Sequence, residues 1–194
     1  MKKVMLLLCK GVEVYEAAAF HDVMGWPGPA GSATIEVVKV GLEHDIRASF
    51  GLMLLADVLL SSVKADDFDA LALPGGFETH GFYEQAYSAP VAHVIRRFDE
   101  LKKPIASICV GALALANSGI LKGRCATTYR LGNGLRCKQL ADFGVKLVDR
   151  PVVVDGNVIT SAGPATAIDV AFKLLAEMSG EAHAQHVRRE MGFA

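Results

Sequence analysis

The chain has no long hydrophobic run. Its longest apolar stretches, Val4–Cys9 and Ile105–Val110, fall well short of the ~20 residues that cross a bilayer. No membrane association is therefore expected, even with a mean hydropathy of +0.32. A basic block is also missing: 20 Lys and Arg against 21 Asp and Glu leave a net charge of -1. That balance supplies no set of phosphate contacts, so no nucleic-acid partner is expected. The four cysteines include no CxxC pair. Met1-Lys2-Lys3 leads into an apolar run that stops at Lys10 without the small-residue cleavage site of a secretory signal. Reduced thiols and a cytoplasmic location follow as expectations. Glu43-His44-Asp45 and the pair His183 and His186 bring no third and fourth ligand at a consistent spacing, so neither a metal nor a cofactor is expected. Repeats, low-complexity tracts and linkers are absent. Trp26–Ser32 is the one loop-rich stretch, and it is too short to divide the chain. Residues 1–194 are read as a single domain, long enough to bury roughly 70% of the surface exposed when unfolded.

What is present is a regular alternation. Short runs rich in Val, Ile and Leu (Val4–Cys9, Ile35–Val40, Ala70–Pro74 and Ile105–Cys109) read as strands buried on both faces. Amphipathic stretches at Ala89–Lys103 and Ala165–Met178 read as helices; Ala167, Val170, Ala171, Leu174, Leu175 and Met178 form one apolar stripe. Strands alternating with helices predict an α/β fold, a mostly parallel sheet with helices on both faces. Val152–Asp155 and Val158–Ser161 predict an antiparallel hairpin closed at Asp155-Gly156. Ile46–Leu59 predicts a second antiparallel excursion, and Glu181–Phe193 a short terminal helix.

Two strand ends carry chemistry. At Pro104–Ala116 a buried strand runs to Ile108, then Cys109, then a helix-compatible run of Ala and Leu. Ser107 and Gly111, two residues to either side of Cys109, are small enough to close a sharp turn that raises a nucleophile at its tip. A helix N-terminus at the sulfur would stabilise thiolate and lower its pKa. A buried structural cysteine at the end of a core strand would show the same local pattern. The second strand end is Leu73-Pro74-Gly75-Gly76. Two glycines at the carboxyl end of a parallel strand let backbone N–H groups approach a ligand, at the edge where open α/β sheets bind theirs. Gly75, Gly76 and the N–H of Val110 are the expected donors to an oxyanion.

Five segments together resemble the DJ-1/PfpI superfamily, which is related to class I glutamine amidotransferase domains. They are Leu6–Glu16, Leu73–Gly76, Ile105–Leu113, Gly119–Thr128 and Thr160–Ala167, in that order along the chain. The resemblance implies a flavodoxin-like three-layer sandwich, a homodimer, and Cys109 as the nucleophile at the elbow. It also implies an acidic partner in Gly11–Glu16, with Glu16 at the acidic position and Glu13 as the competing residue. A protonated Glu16 would hydrogen-bond the sulfur and keep a proton for the substrate, and the two groups would titrate as a unit.

The chain departs from the family pattern in two places. Val110 stands where protease-type members carry His after the cysteine, which removes the base of a Cys–His protease. Tyr129 stands where glyoxalase- and deglycase-type members carry His, and tyrosine at a pKa near 10 is a poor base at neutral pH. His80, in a loop expected to overhang the elbow, is a candidate accessory group beside Tyr129. The surroundings of Cys109 look closer to isonitrile-hydratase-like members than to DJ-1 itself. The expected function is thus attack by Cys109 on a small electrophilic metabolite, in a glyoxalase-, deglycase- or isonitrile-hydratase-like reaction. The alternatives are a redox sensor that works by oxidation of Cys109, and a relative that only binds.

Overall fold

The computed structural model describes residues 1–31 and 34–193; Ser32, the last residue of the loop-rich stretch, lies outside them. The chain opens with β1 (Lys2–Leu8), α1 (Val14–Gly25) and β2 (Ile35–Gly41). A small antiparallel pair follows, β3 (Asp45–Arg47) and β4 (Met53–Leu55), then β5 (Val58–Leu59) and β6 (Ala70–Leu73). Next come α2 (Phe82–Ala86), α3 (Ala89–Glu100), β7 (Ile105–Ile108) and α4 (Gly111–Asn117). β8 (Cys125–Ala126), α5 (Leu135–Asp142) and β9 (Lys146–Leu147) lead to the hairpin β10 (Val152–Asp155) and β11 (Val158–Ser161). The chain ends in α6 (Ala167–Ser179) and α7 (Glu181–Glu190).

Seven strands form one sheet in the order β10-β11-β7-β6-β1-β2-β5. Every neighbouring pair is parallel except β10 and β11 at the edge. The central strands are buried on both faces, as their unbroken apolar runs require: Val4 to Leu8, Ala70 to Leu73 and Ile105 to Ile108 are all buried. One layer of helices is α1, α6 and α7, where α6 packs on both of the others and on β7. The other layer contains α3 and α4, which pack on each other and on β6 and β7 respectively. The expected α/β architecture is therefore the observed one.

Two boundaries differ from the sequence reading. The excursion at 46–59 ends in two residues, Val58 and Leu59, that join the main sheet beside β2 instead of the small hairpin. Helix α3 stops at Glu100, and Lys102 then turns the chain with a φ of 55°. The edge hairpin, by contrast, keeps the expected strand bounds, with Asp155 paired to Val158 across Gly156-Asn157 and Gly156 at a φ of 62°.

Candidate active site

The carboxyl ends of β6 and β7 lie side by side, with Leu73 paired to Ser107. Beyond β7 the chain turns at Cys109, whose φ is 56°. A non-glycine residue held in the left-handed region costs on the order of 1–3 kcal/mol. Two hydrogen bonds hold it there: the Cys109 N–H donates to the Ser161 carbonyl at 3.0 Å, and the Thr128 hydroxyl donates to the Cys109 carbonyl at 2.9 Å. Gly111 completes the turn. A Cβ there would stand 2.8 Å from the Leu73 carbonyl oxygen and 2.9 Å from Ser107 Oγ.

Glu16, in the first turn of α1, is fully buried. Its Oε2 accepts the Gly75 N–H at 2.6 Å. A Cβ on Gly75 would come within 3.0 Å of Glu16 Oε2 and 3.1 Å of Cys109 Cβ. The missing side chain at position 75 is thus what lets the carboxyl and the cysteine meet. Glu16 Oε1 is buried with no hydrogen-bond partner among the described residues, and the nearby Cys109 thiol favours the ionised carboxyl. The two loops that bring these groups together are laced by backbone. Glu13 N–H donates to the Gly75 carbonyl, and Phe77 N–H to the Gly11 carbonyl, both at 2.9 Å.

Burial pushes the Glu16 carboxyl up to about 8; the Gly75 N–H opposes this, the Glu13 charge adds to it, and the thiol opposes it. At neutral pH the carboxyl holds its proton. Cys109 is 7% exposed. Burial pushes its thiol up as well, the charge of an ionised Glu16 reinforces the rise, and the Val110 N–H opposes it. The expected lowering of the thiol by the helix end is therefore reversed, because one N–H at the sulfur does not offset its removal from water. The two groups form one coupled acid. Above about pH 8 the carboxyl loses its proton, and the charge this leaves on Glu16 holds the thiol proton more firmly.

Cys109 and Val110 line a cavity of about 240 Å³ together with Gly76, Phe77 and Tyr129. Of the three expected oxyanion donors, Gly75 is corrected: its N–H is committed to Glu16. Gly76 and Val110 remain on the cavity wall. Tyr129 is also on the wall. His80 is not among the lining residues; its ring packs edge-on against Phe50 and Phe77 at 5.8 and 5.6 Å. Glu13 faces the same cavity as Cys109, and burial raises its pKa. Cys9 is wholly buried in the core, its thiol pushed up to about 12 by burial, while Cys125 and Cys137 are half-buried.

The sequence reading missed Arg136. It lines the cavity, donates to Glu78 Oε2 at 2.6 Å and Gln139 Oε1 at 2.9 Å, and lies over the Tyr83 ring. One signal pointed to it: Gly132-Asn133-Gly134, all with φ between 61° and 68°, folds the chain back from Tyr129 towards α5. A larger cavity of about 690 Å³ lies near Leu60, Val63 and Val94 and shares no residue with that of Cys109. Among the described residues no group of three or more His, Cys, Asp or Glu is arranged to hold a metal ion. None of their helices is long and apolar enough to cross a membrane.

The sequence pattern of the DJ-1/PfpI family matches residues 2–177, and the chain belongs to that family. It is 31% identical over 190 residues to protein dj-1beta of Drosophila melanogaster, covering 97% of this chain and 95% of that protein. The crystal structure of that fly protein superposes with a TM-score of 0.87 at 31% identity, over 100% of this chain and 98% of the other. Deglycase PfpI of Pyrococcus furiosus is 35% identical over 119 residues, which is 61% of this chain and 68% of that protein.

Proposed function

We propose that the protein is an enzyme in which Cys109 adds to a small electrophilic carbon, an α-oxoaldehyde carbonyl or an isonitrile, with Glu16 carrying the proton. The observation that supports this most directly is the Gly75 gap, which a buried carboxyl and the cysteine of a strand-to-helix elbow both border. In the productive form of the pair the sulfur is thiolate and Glu16 is protonated. The S–C bond forms as the C=O pair moves onto oxygen, and Glu16 gives that oxygen its proton. The N–H groups of Gly76 and Val110 stabilise the charge while it develops. For the oxoaldehyde, the Glu16 carboxylate so formed then moves the proton of the attacked carbon to the neighbouring carbonyl carbon, leaving a thioester, and water cleaves it to a 2-hydroxy acid and the free thiol. For an isonitrile the same attack gives a thioimidate, with the proton going to the former isonitrile carbon, and water then releases an N-substituted formamide and the thiol. Val110 leaves no histidine beside the sulfur, which argues against a protease.

A homodimer belongs to the same reading. The β3–β4 hairpin exposes Phe50, Leu52, Met53 and Leu55, an apolar surface of the kind that a second copy covers. A cytoplasmic location also belongs to it, because a free elbow thiol functions in a reducing compartment.

The test uses wild type and Cys109→Ser, each incubated with methylglyoxal and with an aryl isonitrile. Loss of either substrate with wild type and not with the variant is the expected result. If neither is consumed, and mild peroxide adds two oxygens to Cys109 by mass spectrometry, the enzyme reading fails and the redox-sensor reading replaces it.

A further inference from the structure

We propose that Arg136 makes this cavity selective for small electrophiles that carry an anionic group, a carboxylate or a phosphate, at the end away from the reacting carbon. The proposal rests on the reading that Cys109 attacks substrate in this cavity. It concerns which substrates reach the sulfur.

The cavity wall carries charges of both signs. Glu13 lines it with Cys109 and acts electrostatically on Cys109 and on the buried Glu16. Arg136 and its partner Glu78 line it too, and among the described residues Arg136 is the one Lys or Arg on the wall. Its side chain is 18% exposed, so it is held, not free to wave in solvent. Glu78, Gln139 and the face of Tyr83 fix the plane of the guanidinium. A planar fork fixed before a ligand arrives loses little freedom when it grips an anion. A guanidinium has about five N–H groups, and the protein uses one on Glu78 and one on Gln139. The others have no acceptor among the described residues, on a side chain that lines the cavity.

Glu78 does not cancel this cation. Its side chain is 60% exposed, so water screens its charge and it can yield to a ligand. Glu13 contributes by repulsion. An anionic substituent placed at the sulfur would face this carboxylate, whereas the same substituent placed at Arg136 meets the fork. The bound electrophile is therefore oriented with its charge outward and its reactive carbon at Cys109.

Iodoacetate and iodoacetamide test this without turnover. They are nearly the same size and differ by one charge. Both alkylate by the same step, in which the thiolate forms an S–C bond and iodide leaves. Rates are read at Cys109 by peptide mass spectrometry, with Cys125 and Cys137 in the same sample as references. The expected result is an iodoacetate-to-iodoacetamide rate ratio at Cys109 that falls roughly tenfold in Arg136→Gln, the low end of what a charge-lined cleft contributes to an encounter rate. Arg136→Lys should retain part of the ratio. An unchanged ratio in Arg136→Gln overturns the proposal. A second measurement needs no variant: acetate and inorganic phosphate should each protect wild-type Cys109 from iodoacetamide in a saturable way, and acetamide should not. The stronger protector identifies the group as carboxylate or phosphate, and no protection by either overturns the proposal. If the ratio and protection hold while methylglyoxal and isonitrile are untouched, the anion site stands and the enzyme reading fails. If the oxoaldehyde is turned over with no charge preference, the reverse holds.

Discussion

The floor of the cavity and its rim are built from different kinds of chain. Cys109, Glu16, Gly75 and Gly76 stand at the carboxyl ends of buried strands or in the first turn of α1, and hydrogen bonds that involve backbone groups tie Cys109, Glu16 and Gly75 to neighbouring elements. Tyr129, Glu78, His80 and Arg136 stand in or beside loops, and their contacts run through side chains. At the floor a shift of a few tenths of an ångström has nowhere to go. At the rim a side chain such as that of Arg136 is held by other side chains, so it can be replaced without moving the backbone. The chemistry of bond formation is therefore expected to depend on glycines and backbone, and the choice of substrate on a few long side chains.

The largest effect that would sharpen this contrast comes from one methyl group. In Gly75→Ala the new Cβ would lie 2.9 Å from the Ile108 carbonyl oxygen, 3.0 Å from Glu16 Oε2 and 3.1 Å from Cys109 Cβ. The carboxyl and the sulfur must separate. A displacement of this kind at a reacting pair costs on the order of 100-fold in rate. Overpacking costs about 1–3 kcal/mol of stability. We expect kcat/KM to fall ~100-fold with folding retained, read by turnover assay and urea unfolding. A variant as active as wild type would break the claim that the floor is rigid.

Glu16→Gln should act mainly on stability and its pH dependence. The native carboxyl titrates at about 8, raised by burial from an ordinary 4.5. A buried acid of this kind binds its proton more tightly when folded than when unfolded. Stability is therefore highest below the unfolded value, falls as pH rises from 4.5 towards about 8, and levels off above it. The loss over that window is on the order of 4 kcal/mol. Glu16→Gln should flatten the curve and leave the variant more stable than wild type at pH 9, by denaturant unfolding across the range. The same variant should lose turnover, because an amide can donate to sulfur but has no proton to give. A wild-type curve without this slope would mean that the carboxyl is not held in its neutral form.

The division between floor and rim also explains what could be read in the sequence. Cys109 and Gly75-Gly76 were legible because strand ends and tight turns restrict residue type locally: small neighbours flank the elbow, and glycines stand where backbones approach. Glu16 was reached only through the family resemblance, since a glutamate in a first helical turn looks like any solvated charge. The central strands were legible for the same reason, as unbroken apolar runs. Arg136 was not, since an arginine on a short amphipathic helix looks like any surface charge until the Gly132–Gly134 turn is known to fold back. The placement of His80 failed similarly. Proximity to Gly76 in sequence suggested the elbow, but the ring found two phenylalanines. The direction of the thiol pKa was misread because the helix end is visible in a sequence and the degree of burial is not. The strand at Val58 and Leu59 is too short to declare itself, and only its neighbour β2 makes it one.

His80→Ala is the smallest predicted effect and the most direct attack on the comparison. The ring touches Phe50 and Phe77 edge-on and is absent from the cavity wall. Removing it costs two aromatic contacts, about 0.5–1.5 kcal/mol each at most and less for a half-buried cluster, and an exposed hydrogen bond with the Thr79 hydroxyl at 3.2 Å. The loop itself stays in place, because the His80 N–H donates to the Phe77 carbonyl at 3.0 Å and that carbonyl also accepts the Phe82 N–H at 3.2 Å. The alkylation rate of Cys109 and the turnover of substrate should therefore stay within roughly twofold of wild type, while urea unfolding shifts to slightly lower concentration. A tenfold fall in either rate with little loss of stability would show that His80 swings to the sulfur when substrate is bound. The rim would then contribute to bond formation as well as to selection, and the boundary between the two regions would have to move outward to include it.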